Sequence, residues 1–120
     1  MPSLKVRLGR SELANPVLVA SGTFGGIYET VFDLNILGGI VLKTVTAAPR
    51  QGNSPPRIHE TASGMLNSIG LENNGIDEFL RTELPHYLQF KCPIFVNIAG
   101  KTVEEFGALA ERFEGVNIAG

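Results

Sequence analysis

Hydrophobic positions fall along this chain in short clusters whose spacing changes from one segment to the next. Leu4 to Leu8 alternates apolar and polar side chains, Gly9 and Arg10 offer a turn, and Ser11 to Leu13 follows. That pattern predicts a small N-terminal β-hairpin, placed as a lid or plug. After Asn15 and Pro16, the run Val17-Leu18-Val19-Ala20 is continuously apolar, as in a strand buried on both faces. Within Tyr28 to Leu37 the apolar positions Val31, Leu34 and Leu37 have helical spacing, and Gly38-Gly39 ends the segment. Ile40-Val41-Leu42 predicts a second buried strand closed by Lys43, and Thr44 to Asn74, rich in Pro, Gly, Asn, Ser and Thr, reads as one long loop of the functional kind. A helix is predicted from Ile76 to about Leu84, with Ile76, Phe79 and Leu80 on one face and Pro85 near its end. Pro93 opens a third strand, Ile94-Phe95-Val96, that ends at Asn97. Thr102 and Glu105 form a capping box ahead of a helix whose apolar stripe is Val103, Phe106, Leu109, Ala110 and Phe113.

Apolar strands alternating with helices call for parallel pairing through crossovers, hence an α/β fold. Two architectures use that order. A doubly wound sheet could be complete near this length, whereas a (β/α)8 barrel needs about 250 residues and would be interrupted before its fourth strand. Val96 to Gly100 and Val116 to Gly120 both read VNIAG, but one match at a 20-residue offset is too little for a repeat and is taken as chance.

Composition narrows the function classes. With 43% hydrophobic and 18% charged residues, the chain has the means to bury a core. A net charge of -2 supplies no basic field for a phosphate backbone, which argues against nucleic acid as a partner. The single cysteine, Cys92, cannot build a disulfide framework, and with His59 and His86 far apart no metal site is expected. No apolar run approaches the roughly 20 residues needed to cross a bilayer, and residues 1–10 lack the apolar core of a signal peptide, so no membrane association and a cytoplasmic location are expected.

The candidate chemistry lies where the strands end. Ser21, Lys43 and Asn97 each follow an apolar run, and in barrels and open α/β sheets ligands bind at the carboxyl ends of strands. The plainer alternative is that polar residues only mark where strands stop. Lys43, directly after an apolar run, is expected to be partly desolvated, which is costly unless an anion or electron-rich ring compensates it. In Ser63 to Leu71, Gly64 and Gly70 would let backbone N–H groups turn toward an anion, and Asn67 can both donate and accept, as recognition of a cyclic amide requires. From spacing alone, an ordinary surface loop whose Asn and Gly residues only make turns is the better explanation. The glycine-rich Ser21-Gly22-Thr23-Phe24-Gly25-Gly26 lacks the dinucleotide fingerprint, and no Walker loop, CxxC or HExxH occurs. His59, beside Glu60, reads as solvated and Cys92 as structural.

Taken in order, Asn15-Pro16, Ala20 to Gly25, Lys43-Thr44, Pro49-Arg50, Gly52-Asn53, Pro56-Arg57, Glu60-Thr61 and Ser63 to Leu71 resemble the dihydroorotate dehydrogenase family, and GMLNSIGL resembles its class 1B catalytic subunit. The resemblance implies the N-terminal portion of a flavin-binding (β/α)8 TIM barrel, spanning residues 1–120 and carrying an N-terminal β-hairpin. It implies FMN-dependent oxidation of dihydroorotate to orotate in pyrimidine biosynthesis. By the same resemblance Ser21, Lys43, Thr44 and Asn97 contact FMN, while Lys43, Asn67, Ser68, Ile69, Gly70 and Leu71 form the substrate site. Asn67 would bond the pyrimidine ring, and the backbone of Ile69 to Leu71 would face the carboxylate. The family's base, a cysteine in the loop after the fourth strand, has no counterpart up to Gly120, and neither do the strands that hold the flavin phosphate. Cys92 is not a substitute.

The resemblance further implies a partner subunit carrying FAD and an iron-sulfur centre that passes electrons to NAD, within a homo- or hetero-oligomer. These 120 residues alone are expected to be inactive and prone to aggregate, since three strands leave open edges. Two other functions fit the same residues: a related FMN barrel oxidoreductase acting on another pyrimidine, and a non-catalytic module that only binds a ligand or partner.

Overall fold

A computed structural model describes residues 2–22, 24 and 26–120. In chain order its elements are β1 (Val6–Leu8), β2 (Ser11–Leu13), β3 (Leu18–Val19), β4 (Gly39–Val45), β5 (Ile58–Thr61), β6 (Gly64–Asn67), α1 (Gly75–Glu78), α2 (Leu84–Tyr87), β7 (Ile94–Ile98) and α3 (Val103–Glu111). The expected N-terminal hairpin forms, with β1 and β2 antiparallel and Val6 opposite Leu13. Leu13 is its anchor: this side chain is buried, while all of β1 remains exposed.

The central sheet is parallel and ordered β3-β4-β7, so the strands lie side by side in the order in which they occur. Beyond α3 the chain returns to the free edge of β7, where Ala119 N–H donates to Ile94 O (2.7 Å) and Val96 N–H donates to Gly120 O (2.8 Å). The first VNIAG segment meets β4 at its carboxyl end, through Ala99 N–H to Val45 O (3.0 Å), whereas the second meets β7 at its first residue. The two copies stand at different levels and do not constitute a repeat.

One face of the sheet carries the core. Ile40, Leu42, Val45 and Ile94 pack against Leu34, Leu37, Ile76, Phe79, Leu84 and Leu109, all nearly inaccessible to solvent. Gly38 owes its identity to a close crossing: a Cβ there would stand 2.0 Å from Asn15 O, in the turn that brings Gly38 N–H to Val17 O (2.9 Å). Among the described residues no helix is long and apolar enough to cross a membrane.

Several predicted elements take a different form. The segment Tyr28 to Leu37 is no α-helix; it makes two 3₁₀ turns, Gly26–Thr30 and Leu34–Ile36. The Asp33 carboxylate accepts from Asn35 N (2.9 Å), a local bond that competes with helical pairing, and β-branched Thr30 and Val31 add to the disfavour. Leu34 and Leu37 are still buried, which is what their spacing registered. The predicted helix at Ile76 runs on past Pro85: α1 and α2 are joined by a π-helical turn, Phe79–Glu83, in which Leu84 N–H reaches back to Phe79 O. Pro85 offers no N–H to the Arg81 carbonyl, and the widened turn ahead of it absorbs that gap. The loop Thr44 to Asn74 holds an unforeseen hairpin, β5 with β6, Ile58 opposite Asn67.

The expected capping box at α3 forms in its N-cap half, while the reciprocal bond falls one residue earlier, on Lys101 N in place of Thr102 N. Thr102 Oγ1 accepts from Glu105 N (3.3 Å), and the Glu105 carboxylate turns back to Lys101 N. Its stripe is only half used, however. Leu109 is buried and Phe113 meets Phe79 edge to face at 6.3 Å, but Val103 remains 82% exposed and Phe106 42%.

Candidate functional site

Three neighbouring strands deliver three polar side chains to one point. Ser21 follows β3, Thr44 lies in β4 and Asn97 in β7. Asn97 Nδ2 donates to Thr44 Oγ1 at 2.6 Å and to Ser21 Oγ at 3.2 Å. Both amide protons are thereby spent. Among the described residues the two hydroxyl protons and Asn97 Oδ1 have no partner, which leaves a mixed donor and acceptor set at the rim of the sheet. Thr23 and Gly25, in the glycine-rich segment after Ser21, lie outside the described residues.

Lys43 departs from its sequence reading. It does not close a strand but sits within β4, and it is exposed rather than partly desolvated. The pairing of β4 with β7 shifts between Leu42 and Val45. An irregularity of that kind re-aims side chains locally, and here it falls on Lys43 and Thr44. Among the described residues no carboxylate pairs with the Lys43 ammonium. Lys43 and Thr44 line a cleft of about 320 Å³ together with Glu72, Asn73 and Asn74.

The second group of candidates begins where β6 ends. Asn67 is exposed, and among the described residues its side chain has no hydrogen-bond partner. Beyond it the loop is fixed through its carbonyl groups. Asn53 N–H donates to Ile69 O (3.0 Å), and Asn53 Nδ2 donates to Ser68 O (3.2 Å) and Ser68 Oγ (2.7 Å). Ser68 N–H goes to Arg57 O (2.7 Å). The N–H groups of Ile69, Gly70 and Leu71 find no partner among the described residues, so this loop presents donors.

Two glycines make that interlock possible. Gly70 has φ +82° and a Cβ on it would come 2.7 Å from Asn53 N; Gly52, at φ +74°, would thrust a Cβ to 2.4 Å from Ile69 O. Arg57 braces the facing strand of the loop, with its guanidinium on Asn53 O, Gln51 O (2.8 Å) and the Glu72 carboxylate (2.7 Å). In the sequence Asn53 and Arg57 stand out only as parts of the family resemblance. The signal that could have singled them out is the pairing of Gly52-Asn53 with Ser68 to Gly70 across a single loop.

The structure thus joins Ser21, Thr44 and Asn97 by hydrogen bonds and places Lys43 beside Thr44. Among the described residues no hydrogen bond links this cluster to Asn67 to Leu71. Leu71 lines a second cleft of about 260 Å³ at the carboxyl ends of β4 and β7, with Thr46, Ala99 and Gly100. His59 is exposed, as expected. Cys92 is buried, and burial pushes its thiol pKa up, which suits a structural side chain and not a nucleophile or base. Among the described residues no cluster of His, Cys, Asp and Glu could hold a metal ion.

Comparison with known proteins places these features in context. The family described as dihydroorotate dehydrogenase matches residues 3–120. The catalytic subunit of dihydroorotate dehydrogenase B (NAD(+)) from Thermoanaerobacter sp. is 48% identical over 114 residues, covering 93% of this chain and 38% of that protein. Its counterpart from Thermodesulfovibrio yellowstonii is 48% identical over 122 residues, covering 98% and 40%. The chain therefore spans about two fifths of the length of the curated relatives it matches. The crystal structure of DHODH from Eimeria tenella in complex with ferulenol superposes with a TM-score of 0.65 over 93% of this chain and 36% of the other. At 22% identity that likeness is one of fold, and it agrees with the mixed α/β architecture.

Proposed function

Because the chain belongs to the dihydroorotate dehydrogenase family, we propose that it forms three strands of a (β/α)8 barrel and one side of a site for FMN and dihydroorotate. The observation that carries this reading is the Asn97 amide bridging Ser21 and Thr44 beside Lys43, which has no carboxylate partner among the described residues. The residues fit a flavin by their chemistry. A heteroaromatic ring edge with alternating donors and acceptors matches two hydroxyls and an amide oxygen, and the ammonium of Lys43 favours negative charge near the ring. Bound there, FMN would accept two electrons from the substrate.

The chain's own residues then bind and orient. Asn67 offers an amide to the pyrimidine ring, and the N–H groups of Ile69, Gly70 and Leu71 suit a carboxylate. No described side chain is placed to take the substrate proton, so that role falls to the family's cysteine, outside these residues. In the complete protein the electrons would pass to NAD through a partner subunit bearing FAD and an iron-sulfur centre, in the cytoplasm, as a step of pyrimidine biosynthesis. The catalytic-subunit names of the relatives support such a partner.

The test is turnover by the full-length, flavin-loaded protein with its partner subunit. Dihydroorotate should be oxidised and dihydrouracil, which lacks the carboxylate, should not. Asn67→Ala should raise KM for dihydroorotate by about tenfold or more, because a buried ring amide is left without its partner. Equal use of dihydrouracil would favour an enzyme of another pyrimidine, and flavin-free folding with no turnover would favour a binding module.

A further inference from the structure

Asn73 stands at the junction of three segments. Its Oδ1 accepts from Thr46 N (3.2 Å), just past β4, and from Gly75 N (2.9 Å), the first residue of α1. Its Nδ2 donates to Leu71 O (2.7 Å) and to Thr46 Oγ1 (3.0 Å). The Thr46 hydroxyl gives its own proton to Ala48 O (2.7 Å) and is therefore an acceptor toward Asn73. Both lone pairs and both protons of the amide are in use, so it has one orientation. The Asn73 backbone adds a reciprocal pair with Arg50, at 2.8 and 3.0 Å. Thr46 is buried, which shields its own bonds to Asn73 from water, while the bond to the Leu71 carbonyl lies at the surface.

Leu71 gives this junction its purpose. Among the described residues it alone, apart from glycines, has a positive φ, +57°. A leucine holds that left-handed backbone only where its surroundings impose it. The bond from Asn73 Nδ2 to the Leu71 carbonyl is such a tether, and it sits directly after the N–H groups of residues 69–71, which have no partner among the described residues. At its other end the tether is fixed to Thr46, three positions along the chain from Lys43.

We propose that Asn73 is a positioning residue that sets orotate affinity without touching the ligand, by holding the Leu71 backbone in register with the Lys43 strand. The inference rests on the reading of Lys43 and Asn67 to Leu71 as the substrate site.

The test uses the flavin-loaded full-length protein and orotate, titrated by the change in flavin absorbance. Asn73→Asp retains the acceptors for Thr46 N and Gly75 N but sets a carboxylate oxygen against the Leu71 carbonyl. We expect the orotate Kd to rise about tenfold, with KM moving alike and flavin content and unfolding temperature near those of the unmodified protein. Thr46→Ser, which keeps both the hydroxyl and the backbone N–H that anchor Asn73, should bind orotate as before. Adding Leu71→Gly to Asn73→Asp should recover most of the affinity, since glycine takes the left-handed backbone untethered. That double variant is also the one to read if Asn73→Asp alone does not fold. Asn67→Ala, in the same assay, separates the two levels of the argument. If it weakens orotate and Asn73→Asp does not, the positioning role is overturned; if Asn67→Ala binds orotate unchanged, the site reading falls and takes this inference with it. A loss of flavin and thermal stability parallel to the loss of orotate would reduce Asn73 to a structural role and also overturn the proposal.

Discussion

Asn97 and Cys92 lie five positions apart and face opposite tasks. Asn97 spends its protons on two hydroxyls, and among the described residues its carbonyl oxygen has no partner, so its identity follows from hydrogen-bond valence. Cys92 is enclosed by the core, and burial raises its thiol above the ordinary value of 9.0. Its ionised form is therefore disfavoured in the folded protein. With the folded pKa above the unfolded one, stability is intact below pH 9 and declines as the pH rises through the raised value. A thiol reagent at pH 8 should leave Cys92 unmodified until the protein unfolds, and rapid labelling of native protein would contradict this. Lys43 shows what a sequence conceals at this level. Its place after an apolar run was legible, but its exposure depends on a register shift against β7, and no pattern within β4 announces a shift set by a partner strand.

Among the elements, those whose signal is local were legible. The three apolar runs became β3, β4 and β7, and the Thr102 capping box starts α3 where expected. The hairpin β5–β6 was not, because its strands, IHET and GMLN, are exposed throughout and carry no one-sided apolar pattern to read. Its support comes from the interlock of Gly52-Asn53 with Ser68 to Gly70, a contact between residues some fifteen positions apart. The same interlock yields a prediction. Gly70→Ala places a side chain at φ +82° and within 2.8 Å of the Asn53 side chain. The left-handed backbone alone costs about 1–2 kcal/mol, and the clash adds to it. Orotate affinity should fall well below that of the unmodified protein while flavin binding at the proposed Ser21, Thr44 and Asn97 site persists, a pattern readable in one absorbance titration.

Taken together, the sheet is finished on one face only. Helices and 3₁₀ turns cover the side bearing Ile40 and Leu42, while Ile27 and Val31 are each 74% exposed and Val103 82%. In the proposed barrel such surfaces would meet the remaining strands and helices. These 120 residues produced alone should therefore bind a hydrophobic dye and self-associate; a monomer with a cooperative thermal transition and no dye binding would refute this. The strand order β3-β4-β7, with residues 119 and 120 joining next, also bears on how the protein is made. Each strand pairs with the one synthesised before it, so the sheet can grow in the order in which a ribosome releases it. Within this sheet no strand depends on one beyond its next neighbour for its inner edge, and the Ser21, Thr44 and Asn97 triad needs no strand later than β7.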